Sequence, residues 1–368
     1  MNRLLVTGGA GFIGANFVRY WSQNYPDDKI VVLDALTYAG NRANLKPVAS
    51  HPGLRFVHGD IRDRELVTTL LIEDKLDTVV HFAAESHVDR SIHEPDAFIR
   101  TNIMGTYDLL EAVRDVWLNR GSAPFTHRFH HVSTDEVYGA LGPEDDAFTE
   151  ETLYAPNSPY SASKAAADHL VRSYHYTYGL QVSTSNCSNN YGPYHFPEKL
   201  IPLMIVNALT GKLMPVYGDG SNIRDWLYVE DHCHGIDLII KKGQVGETYN
   251  IGGNSEWSNI SIVKEICRLI DQKFKYDANL LHTYKSSPPA SGKSTDSLIS
   301  YVQDRPGHDW RYAIDASKIK RELNYEPKEG FESGLARTID WMLGNEPWWR
   351  AVMDGSYREW IDKQYTKA

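Results

Sequence analysis

A glycine-rich turn directly behind the first apolar run constrains the fold of this chain more than any other sequence feature. Residues 4–6 lead into Thr7-Gly8-Gly9-Ala10-Gly11-Phe12-Ile13-Gly14. Glycines allow a tight turn and a close approach of the backbone to a pyrophosphate. A helix that begins near Gly11 directs its amide groups and its positive dipole end at those phosphates. The turn therefore predicts a dinucleotide-binding fold that starts at the N-terminus.

Short apolar, β-branched runs alternate with segments long enough for helices up to about residue 190. This alternation predicts a parallel sheet covered by helices on both faces, with right-handed crossovers. Strands are predicted at 4–6, 30–33, 55–57, 78–82, 129–132 and 182–185. The predicted fold class is α/β, a doubly wound parallel sheet of the Rossmann type with a smaller C-terminal substrate-binding domain.

The alternation weakens beyond about residue 190, where predicted helices mix with short strands. Helices are predicted at 199–211, 230–242, 259–271 and 330–343, and residues 286–300 are predicted to form a loop. We therefore predict a Rossmann domain over 1–190 and a second domain over 191–368, with segments that interchange between the two lobes.

Charge and composition exclude several classes of function. The formal net charge of −10 argues against broad binding to nucleic acid, and it requires an anionic substrate to find its positive contacts concentrated locally. No apolar run reaches the roughly 18 residues that span a bilayer, and the N-terminus lacks a signal-peptide layout. Cys187, Cys233 and Cys267 show no Cys-x-x-Cys spacing and are expected to be reduced. We expect a cytoplasmic chain with no membrane partner, no nucleic-acid partner and no metal site.

Acidic residues after the second and third predicted strands indicate which dinucleotide binds. Asp34 follows Gly14 by 20 residues, where a carboxylate binds a ribose hydroxyl and repels a 2′-phosphate, so NAD is favoured over NADP. Arg42 lies close enough in sequence to weaken that preference. Asp60 could contact the adenine or cap a helix that starts at Arg62.

The pair Tyr160 and Lys164 lies one turn apart on one face of a predicted helix. A free tyrosine has a pKa of about 10, too high for a base at neutral pH. The Lys164 ammonium and a positively charged nicotinamide would lower the pKa of Tyr160. Tyr160 could then take a proton from a substrate hydroxyl while hydride leaves the same carbon.

A second cluster, Ser133-Thr134-Asp135-Glu136, follows the end of a strand, where α/β sheets place their active sites. Two adjacent carboxylic acids there indicate acid and base chemistry, with one acid kept protonated by the charge of the other. The alternative is that Asp135 caps a turn and that Glu136 is a solvated surface residue.

These motifs together resemble the extended short-chain dehydrogenase/reductase family, through the glycine turn, Ser133 and the pair Tyr160 and Lys164. Within that family, Thr134-Asp135-Glu136 resembles the dTDP-glucose 4,6-dehydratases in particular. Further similar stretches are 81–91, 186–193 and 304–309. The resemblance extends from the first residues to the tryptophans at 348 and 349 and is weakest over 273–300. Trp310 stands where the family pattern has arginine.

The resemblance implies an enzyme that removes water from a nucleotide sugar with NAD as cofactor. Tyr160 would take the proton of the 4-hydroxyl as hydride passes from C4 to NAD, and Thr134 would orient that hydroxyl. Glu136 would remove the C5 proton, Asp135 would protonate the departing C6 hydroxyl, and hydride would return to C6.

The resemblance also implies the contacts of cofactor and substrate. The residues expected at NAD are Gly8, Gly11, Phe12, Ile13, Gly14, Asp34, Thr37, Asp60, Ile61, Ala83, Ala84, Ser86, Thr101, Ser133, Tyr160, Lys164 and Asn189. The residues expected at the substrate are Ser86, His87, Asn102, Thr134, Asn190, Lys199, Leu200, Pro215, Tyr217, Arg224, Asn259, Arg305 and His308. The guanidinium groups of Arg224 and Arg305 would bind the diphosphate. A homodimer is implied through helices at 102–117 and 160–178.

Two alternatives of different kinds stay open from the sequence. A related 4-epimerase, decarboxylase or other nucleotide-sugar dehydratase would share the fold and the pair Tyr160 and Lys164. Decarboxylases and GDP-mannose dehydratases resemble Thr-Ser-Glu after the serine, so Asp135 is the discriminating residue. The second alternative is a non-enzymatic, NAD-responsive binding protein, which is expected to have lost the acid and base residues.

Overall fold

The computed structural model describes residues 2–120 and 127–353. The strands in chain order are β1 Arg3–Thr7, β2 Lys29–Asp34, β3 Leu54–His58, β4 Thr78–His81, β5 Arg128–Thr134, β6 Val182–Cys187, β7 Asn189–Tyr191, β8 Met214–Tyr217, β9 Ile223–Tyr228, β10 Thr248–Ile251, β11 Glu256–Ser258, β12 Ile299–Val302 and β13 Arg311–Tyr312. The helices are α1 Phe12–Asn24, α2 Arg64–Glu73, α3 Val88–His93, α4 Pro95–Phe98, α5 Thr106–Arg114, α6 Pro159–Tyr178, α7 Leu200–Thr210, α8 Val229–Lys242, α9 Asn259–Tyr276, α10 Ala278–Thr283, α11 Ser317–Leu323, α12 Phe331–Gly344 and α13 Glu346–Val352. Helical turns of the 3-10 or π type lie at Arg42–Val48, Ile99–Gly105, Asp115–Asn119, Asp135–Tyr138, Pro288–Ser291 and Thr295–Leu298.

Seven parallel strands form the main sheet in the order β10-β6-β5-β4-β1-β2-β3. All six strands predicted from the apolar runs lie in it. In the inner strand β1, Leu4 pairs with Ile30 of β2 on one side and with Thr78 of β4 on the other. The strand order reverses between β1 and β4, and such a switch point opens a crevice at the carboxyl ends of the strands. The predicted α/β, doubly wound parallel fold is confirmed.

Helices cover both faces of the main sheet because its strands are apolar on both sides. Along β1, Leu4 and Val6 belong to the core under α1, α8 and α11, whereas Leu5 belongs to the core under α2, α5 and α6. All three side chains are fully buried. Among the described residues, no helix has both the length and the apolar character needed to cross a membrane.

A second lobe packs around α7, α9 and α12, three helices that were predicted from the sequence. Its sheet has the order β11-β9-β13, β7 pairs with β9, and β8 pairs with β12. The chain nevertheless returns from this half to the main sheet, since β10 pairs with β6 and α8 packs in the core around β1. The division of the chain into domains at 1–190 and 191–368 stays a proposal. In space, residues 229–251 belong to the first lobe. Residues 354–368 of the second predicted domain lie outside the described residues.

The segment 286–300 is more regular than the loop that its composition predicts. It forms two 3-10 turns and then enters β12, where Ile299 pairs with Met214 of β8. The Ser287 hydroxyl donates to the Ala208 carbonyl at 2.9 Å, which ties the segment to α7. Polar composition predicted a loop here, but buried hydroxyls make hydrogen bonds that hold the segment against the lobe.

Candidate active site

A cleft with a volume of about 460 Å³ lies at the carboxyl ends of the main sheet and extends to the second lobe. This volume is typical of a small-molecule site. Every residue expected at NAD lines it, as does every residue expected at the substrate except Asn102. Thr134, Glu136, Tyr160 and Lys164 also line it, and Asp135, which is 1% exposed, lies between the lining residues Thr134 and Glu136 in the chain.

Asn102 is buried behind the cleft and positions the loop that follows β4. Its Oδ1 accepts from the Glu85 amide at 2.9 Å, and its Nδ2 donates to the Glu85 carbonyl at 3.0 Å and to Ser163 Oγ at 2.8 Å. These bonds join the loop to α6. Asn102 was expected to contact the substrate directly. In the structure it instead supports, from behind, the loop that contains Ser86 and His87.

The glycine turn has the shape that a pyrophosphate requires. Gly8 has φ +68°, and a Cβ there would stand 2.6 Å from the Ala83 amide nitrogen. A Cβ on Gly14 would stand 2.3 Å from the Gly8 carbonyl oxygen, so α1 packs against the turn only because position 14 lacks a side chain. Gly11 is the N-cap of α1 and makes no side-chain cap. The first amide groups of α1 are therefore available to an anion.

Asp34 stands at the end of β2 with both carboxylate oxygens engaged. Its Oδ2 accepts from the Ala10 amide at 2.8 Å and its Oδ1 from the Leu36 amide at 2.8 Å. Burial raises the pKa of the Asp34 carboxyl although both amides oppose the shift. The Arg42 guanidinium lies over the Phe56 ring, 4.9 Å from its centroid, and this contact holds it on Phe56.

Asp60 lines the cleft but does not cap a helix. Its Oδ2 pairs with the Arg62 guanidinium at 2.6 Å, and this hydrogen bond lowers the pKa of Asp60. The helix α2 starts at Arg64, and its N-cap is Asp63, whose side chain accepts from the Leu66 amide. The alternative of a cap at Asp60 is therefore wrong, because the helix begins two residues later than predicted.

Tyr160 and Lys164 are both buried, one turn apart on α6. Lys164 Nζ donates to the Val132 carbonyl at 2.8 Å, and burial lowers the pKa of its ammonium. Burial, followed by the charge of Glu136, raises the pKa of Tyr160 well above its usual value. A hydrogen bond with Thr134 opposes this rise. The lowering of the Tyr160 pKa by Lys164 together with a bound nicotinamide cation stays a prediction.

The adjacent acids Asp135 and Glu136 have different surroundings. Burial, and then the charge of Glu136, raises the pKa of Asp135 well above its usual range. Burial also raises the pKa of Glu136, but Arg305 and Arg224 oppose that shift. The Thr134 hydroxyl caps the following turn by accepting from the Glu136 amide at 3.3 Å. Burial therefore raises the pKa of Asp135 further than that of Glu136, and neither residue matches the alternative of a turn cap and a solvated surface residue.

Arg224 and Arg305 bring positive charge to one wall of the cleft. Arg305 pairs with Asp89 at 3.3 Å. Arg224 donates to the carbonyls of Asp309 at 2.9 Å and Trp310 at 3.3 Å, and its guanidinium lies 4.2 Å from the centroid of the Tyr312 ring. Trp310 therefore supports Arg224 through its main chain. Because a main-chain carbonyl does not depend on the side chain, tryptophan in place of the expected arginine at position 310 keeps this hydrogen bond.

Other substrate candidates are held by neighbours of the cleft wall. Lys199 Nζ donates to the Ser86 carbonyl at 3.0 Å. His308 Nδ1 lies 2.6 Å from Asp304 Oδ1, and burial with the charge of Arg305 lowers the pKa of His308 to about 4. Since that pKa lies below neutral pH, the imidazole is uncharged and can accept a hydrogen bond.

Sequence reasoning missed several residues that the fold brings to the cleft or directly beneath it. The His195 ring stacks on Phe12 of the glycine turn with centroids 4.3 Å apart. Glu198 lines the cleft, and burial raises its pKa to about 7. Asp168, one turn beyond Lys164 on α6, accepts from Ser133 Oγ at 2.9 Å. Its spacing of four residues after Lys164 was the available signal, but the partner on β5 was not visible in the sequence.

Comparison with known proteins finds relatives among the nucleotide-sugar dehydratases. The family model described as GDP-mannose 4,6 dehydratase matches residues 5–338. The dTDP-glucose 4,6-dehydratase of Xanthomonas campestris pv. campestris (strain B100) is 59% identical over 358 residues, which cover 96% of this chain and 97% of that protein. The dTDP-glucose 4,6-dehydratase of Neisseria meningitidis serogroup B is 54% identical and covers 97% of this chain and 98% of its own length. DesIV, a dTDP-glucose 4,6-dehydratase from Streptomyces venezuelae solved with NAD bound, superposes with a TM-score of 0.84 at 47% identity, over 95% of this chain and 99% of DesIV.

Proposed function

This chain belongs to the GDP-mannose 4,6 dehydratase family, and we propose that within it the chain is an NAD-dependent dTDP-glucose 4,6-dehydratase. It is an enzyme, a hydro-lyase that converts dTDP-glucose to dTDP-4-keto-6-deoxyglucose. One observation carries this conclusion: the pair Tyr160 and Lys164 shares a site with the adjacent acids Asp135 and Glu136, and burial raises the pKa of Asp135 further from its usual value than that of Glu136. A 4-epimerase needs the first pair alone.

The residues of the cleft fit NAD as a tightly held cofactor. The glycine turn and the first amides of α1 form a cradle for the pyrophosphate, and Asp34 stands where the ribose hydroxyls are expected. NAD held by these residues would supply reversible hydride chemistry between C4 and C6 of the sugar, so that no external oxidant would be consumed.

The side chains of the protein move the protons. Tyr160 takes the proton of the 4-hydroxyl, which Thr134 orients. The 4-ketone acidifies the C5 proton, and Glu136 removes it. Asp135, whose buried Oδ2 has no hydrogen-bond partner among the described residues, gives its proton to the departing C6 hydroxyl, and water leaves. Glu136 later returns a proton to C5. At the end of the cycle Tyr160 holds the proton from O4 and Asp135 has lost one to water, so one proton passes from Tyr160 through solvent to Asp135 and restores the starting state.

The substrate contacts are proposed from the charges on the cleft wall. Arg224 and Arg305 bind the diphosphate because planar guanidinium groups match its oxygens, and Lys199 adds a third cation. This concentration of positive charge in the cleft allows a chain of net charge −10 to bind an anionic substrate. Asn190, Asn259 and uncharged His308 supply polar contacts around it.

We further propose a cytoplasmic homodimer whose interface includes the outer faces of α5 and α6. These helices pack side by side, and the segment around them exposes Met104, Tyr176 and Tyr178, which are 47%, 67% and 45% exposed. Large apolar side chains at the surface favour burial against a partner. Sedimentation equilibrium of the full chain measures the assembly, and a mass of about one chain would contradict the dimer.

The test of the function offers dTDP-glucose, UDP-glucose and GDP-mannose separately to the purified chain and follows the sugar by mass spectrometry. We expect dTDP-glucose to lose one water and the other two sugars to react far more slowly. Conversion of UDP-glucose to an isomer of equal mass would instead indicate an epimerase. UDP-glucuronate is offered as a further sugar, and carbon dioxide released from it would indicate a decarboxylase.

A further inference from the structure

A buried network beneath the cleft joins β5 to α6 at Asp168, which has no part in the proton transfers above. Asp168 lies one turn beyond Lys164 and two turns beyond Tyr160, so the three side chains share one face of α6. We propose that Asp168 is a positioning residue of the reaction: its carboxylate keeps Lys164 in the ammonium form and fixes the direction of the Ser133 hydroxyl. This inference rests on the function proposed above.

The hydrogen bonds of Asp168 determine how Ser133 faces the cleft. Asp168 Oδ2 accepts from Ser133 Oγ at 2.9 Å and from the Tyr154 hydroxyl at 3.0 Å. An ionised carboxylate only accepts, so the hydroxyl proton of Ser133 is committed to it. Ser133 lines the cleft and offers only lone pairs there, which suits the amide donors of a nicotinamide.

The charges of Lys164 and Asp168 stand on either side of a neutral ring. Lys164 Nζ lies 3.4 Å from His131 Nε2, and that nitrogen lies 3.1 Å from Asp168 Oδ1. Burial, and then the charge of Lys164, lowers the pKa of His131 well below its usual value, so the imidazole is uncharged. Lys164 and Asp168 are 4% and 5% exposed. A buried ammonium without a counter-charge tends to lose its proton.

Other titratable groups around this pair do not supply that counter-charge. They are His81 on β4, His131 on β5, Cys187 on β6, His169 on α6, and Tyr138 and Tyr154 from the segment between β5 and α6. Burial raises the pKa values of Tyr138, Tyr154 and Cys187, which keeps these groups uncharged. Asp168, and after it Cys187, oppose the lowering of the Lys164 pKa by burial. Since burial keeps the Cys187 thiol uncharged, the counter-charge among the described residues comes from Asp168.

The hydroxyl partners alone do not require a charge at this position. An asparagine amide oxygen could accept the same two hydrogen bonds without the desolvation cost of a buried carboxylate. Burial raises the pKa of Asp168 to about 6 even with Lys164 nearby, which shows that the site resists ionisation. A charge retained against this cost is best explained by its effect on Lys164.

The test compares the full-length, NAD-loaded enzyme with its Asp168→Asn variant. The turnover of dTDP-glucose is measured from neutral to alkaline pH. Without the carboxylate the pKa of Lys164 falls, so the ammonium is lost at lower pH as pH rises. We expect the alkaline fall of kcat to begin about one pH unit lower in the variant than in the wild type. At pH values above both falls, the variant should therefore turn over about tenfold more slowly than the wild type. The rate should recover as pH is lowered, with little change in KM. Tyr154→Phe is the matched control, because it removes one hydrogen bond to Asp168 but keeps the charge.

The proposal would be overturned if kcat fell at the same alkaline pH in Asp168→Asn and in the wild type. It would also be overturned if Tyr154→Phe shifted this fall of kcat as far as Asp168→Asn does, because that result would indicate loosened packing. If the asparagine variant does not fold, Asp168→Glu and Asp168→Gln form a second pair of variants that differ in charge alone. The same alkaline fall of kcat in both members of that pair would also contradict the proposal. Failure of the wild-type enzyme to dehydrate dTDP-glucose would remove the proposed function. Normal wild-type turnover with an unshifted variant removes only this inference.

Discussion

Asp135 and Glu136 show how surroundings assign different tasks to neighbouring residues of the same chemistry. Asp135 is 1% exposed and lies between two lining residues of the cleft, and burial raises the pKa of its carboxyl well above its usual range. Glu136 lines the cleft, where the charges of Arg305 and Arg224 oppose the effect of burial. A pair of carboxyl groups with separated pKa values can act as acid and base in one turnover.

Glu136→Gln is expected to separate oxidation from elimination. Glutamine keeps the shape of the side chain but cannot take the C5 proton, so turnover should fall by roughly 10²–10⁴-fold. Oxidation at C4 should survive, and the absorbance of bound NADH should rise when dTDP-glucose is added. The control is Glu151→Gln, at an exposed carboxylate outside the cleft lining. Normal turnover would show that Glu136 is not the base, and an absence of NADH would place its role earlier in the reaction.

Asp34 is expected to make NAD bind more tightly than NADP. Its carboxylate is fixed by two amides at the end of β2, and a 2′-phosphate would meet that negative charge. The Arg42 guanidinium lies over the Phe56 ring, and we expect it to stay there when the dinucleotide binds. Asp34→Asn should narrow the NAD preference by about tenfold, or ~1.4 kcal/mol, in titrations of the cofactor-free protein. Equal affinities of the wild-type chain for both dinucleotides would contradict this role.

At the scale of elements, the C-terminal helix α13 connects the second lobe to the cofactor side of the cleft. Trp348 Nε1 donates to Asn44 Oδ1 at 2.8 Å, and its ring lies 5.5 Å from that of Tyr194. Tyr194 adopts φ +66° and immediately precedes His195, which stacks on Phe12 of the glycine turn. The helix therefore supports the segment that covers the turn.

Trp348→Ala should weaken the retention of NAD more than it weakens catalysis. Loss of this half-buried ring removes roughly 1–2 kcal/mol of apolar contact and frees the segment that contains Tyr194 and His195. We expect faster loss of NAD during dialysis, with near-normal kcat when NAD is added in excess. Tyr276→Ala, at a ring that is 83% exposed, is the control. Unchanged NAD content in Trp348→Ala would show that α13 does not support the cofactor side.

At the scale of the whole molecule, the sequence predicted those features whose signals are local. The glycine turn, the buried strands and the spacing of Tyr160 and Lys164 all arise within a few residues. Asn102 and Asp168 were misjudged or missed because their partners lie far along the chain: Asn102 bonds to Ser163, 61 residues away, and Asp168 to Ser133, 35 residues away. The raised pKa of Tyr160 likewise depends on burial that only the folded chain creates.

The complete site predicts that hydride moves within one sugar molecule while the C5 proton exchanges with water. Hydride held on a nicotinamide that stays bound cannot mix with solvent or with other substrate molecules, whereas a proton on the Glu136 carboxylate can exchange. Deuterium placed at C4 of dTDP-glucose should therefore appear at C6 of the same molecule. A mixture of doubly labelled and unlabelled substrate should give almost no crossed product by mass spectrometry. In heavy water, unlabelled substrate should gain deuterium at C5 and not at C6. Solvent deuterium at C6, or scrambled label in the crossover mixture, would exclude the return of hydride from a retained cofactor and with it the dehydratase mechanism assigned to Tyr160, Asp135 and Glu136.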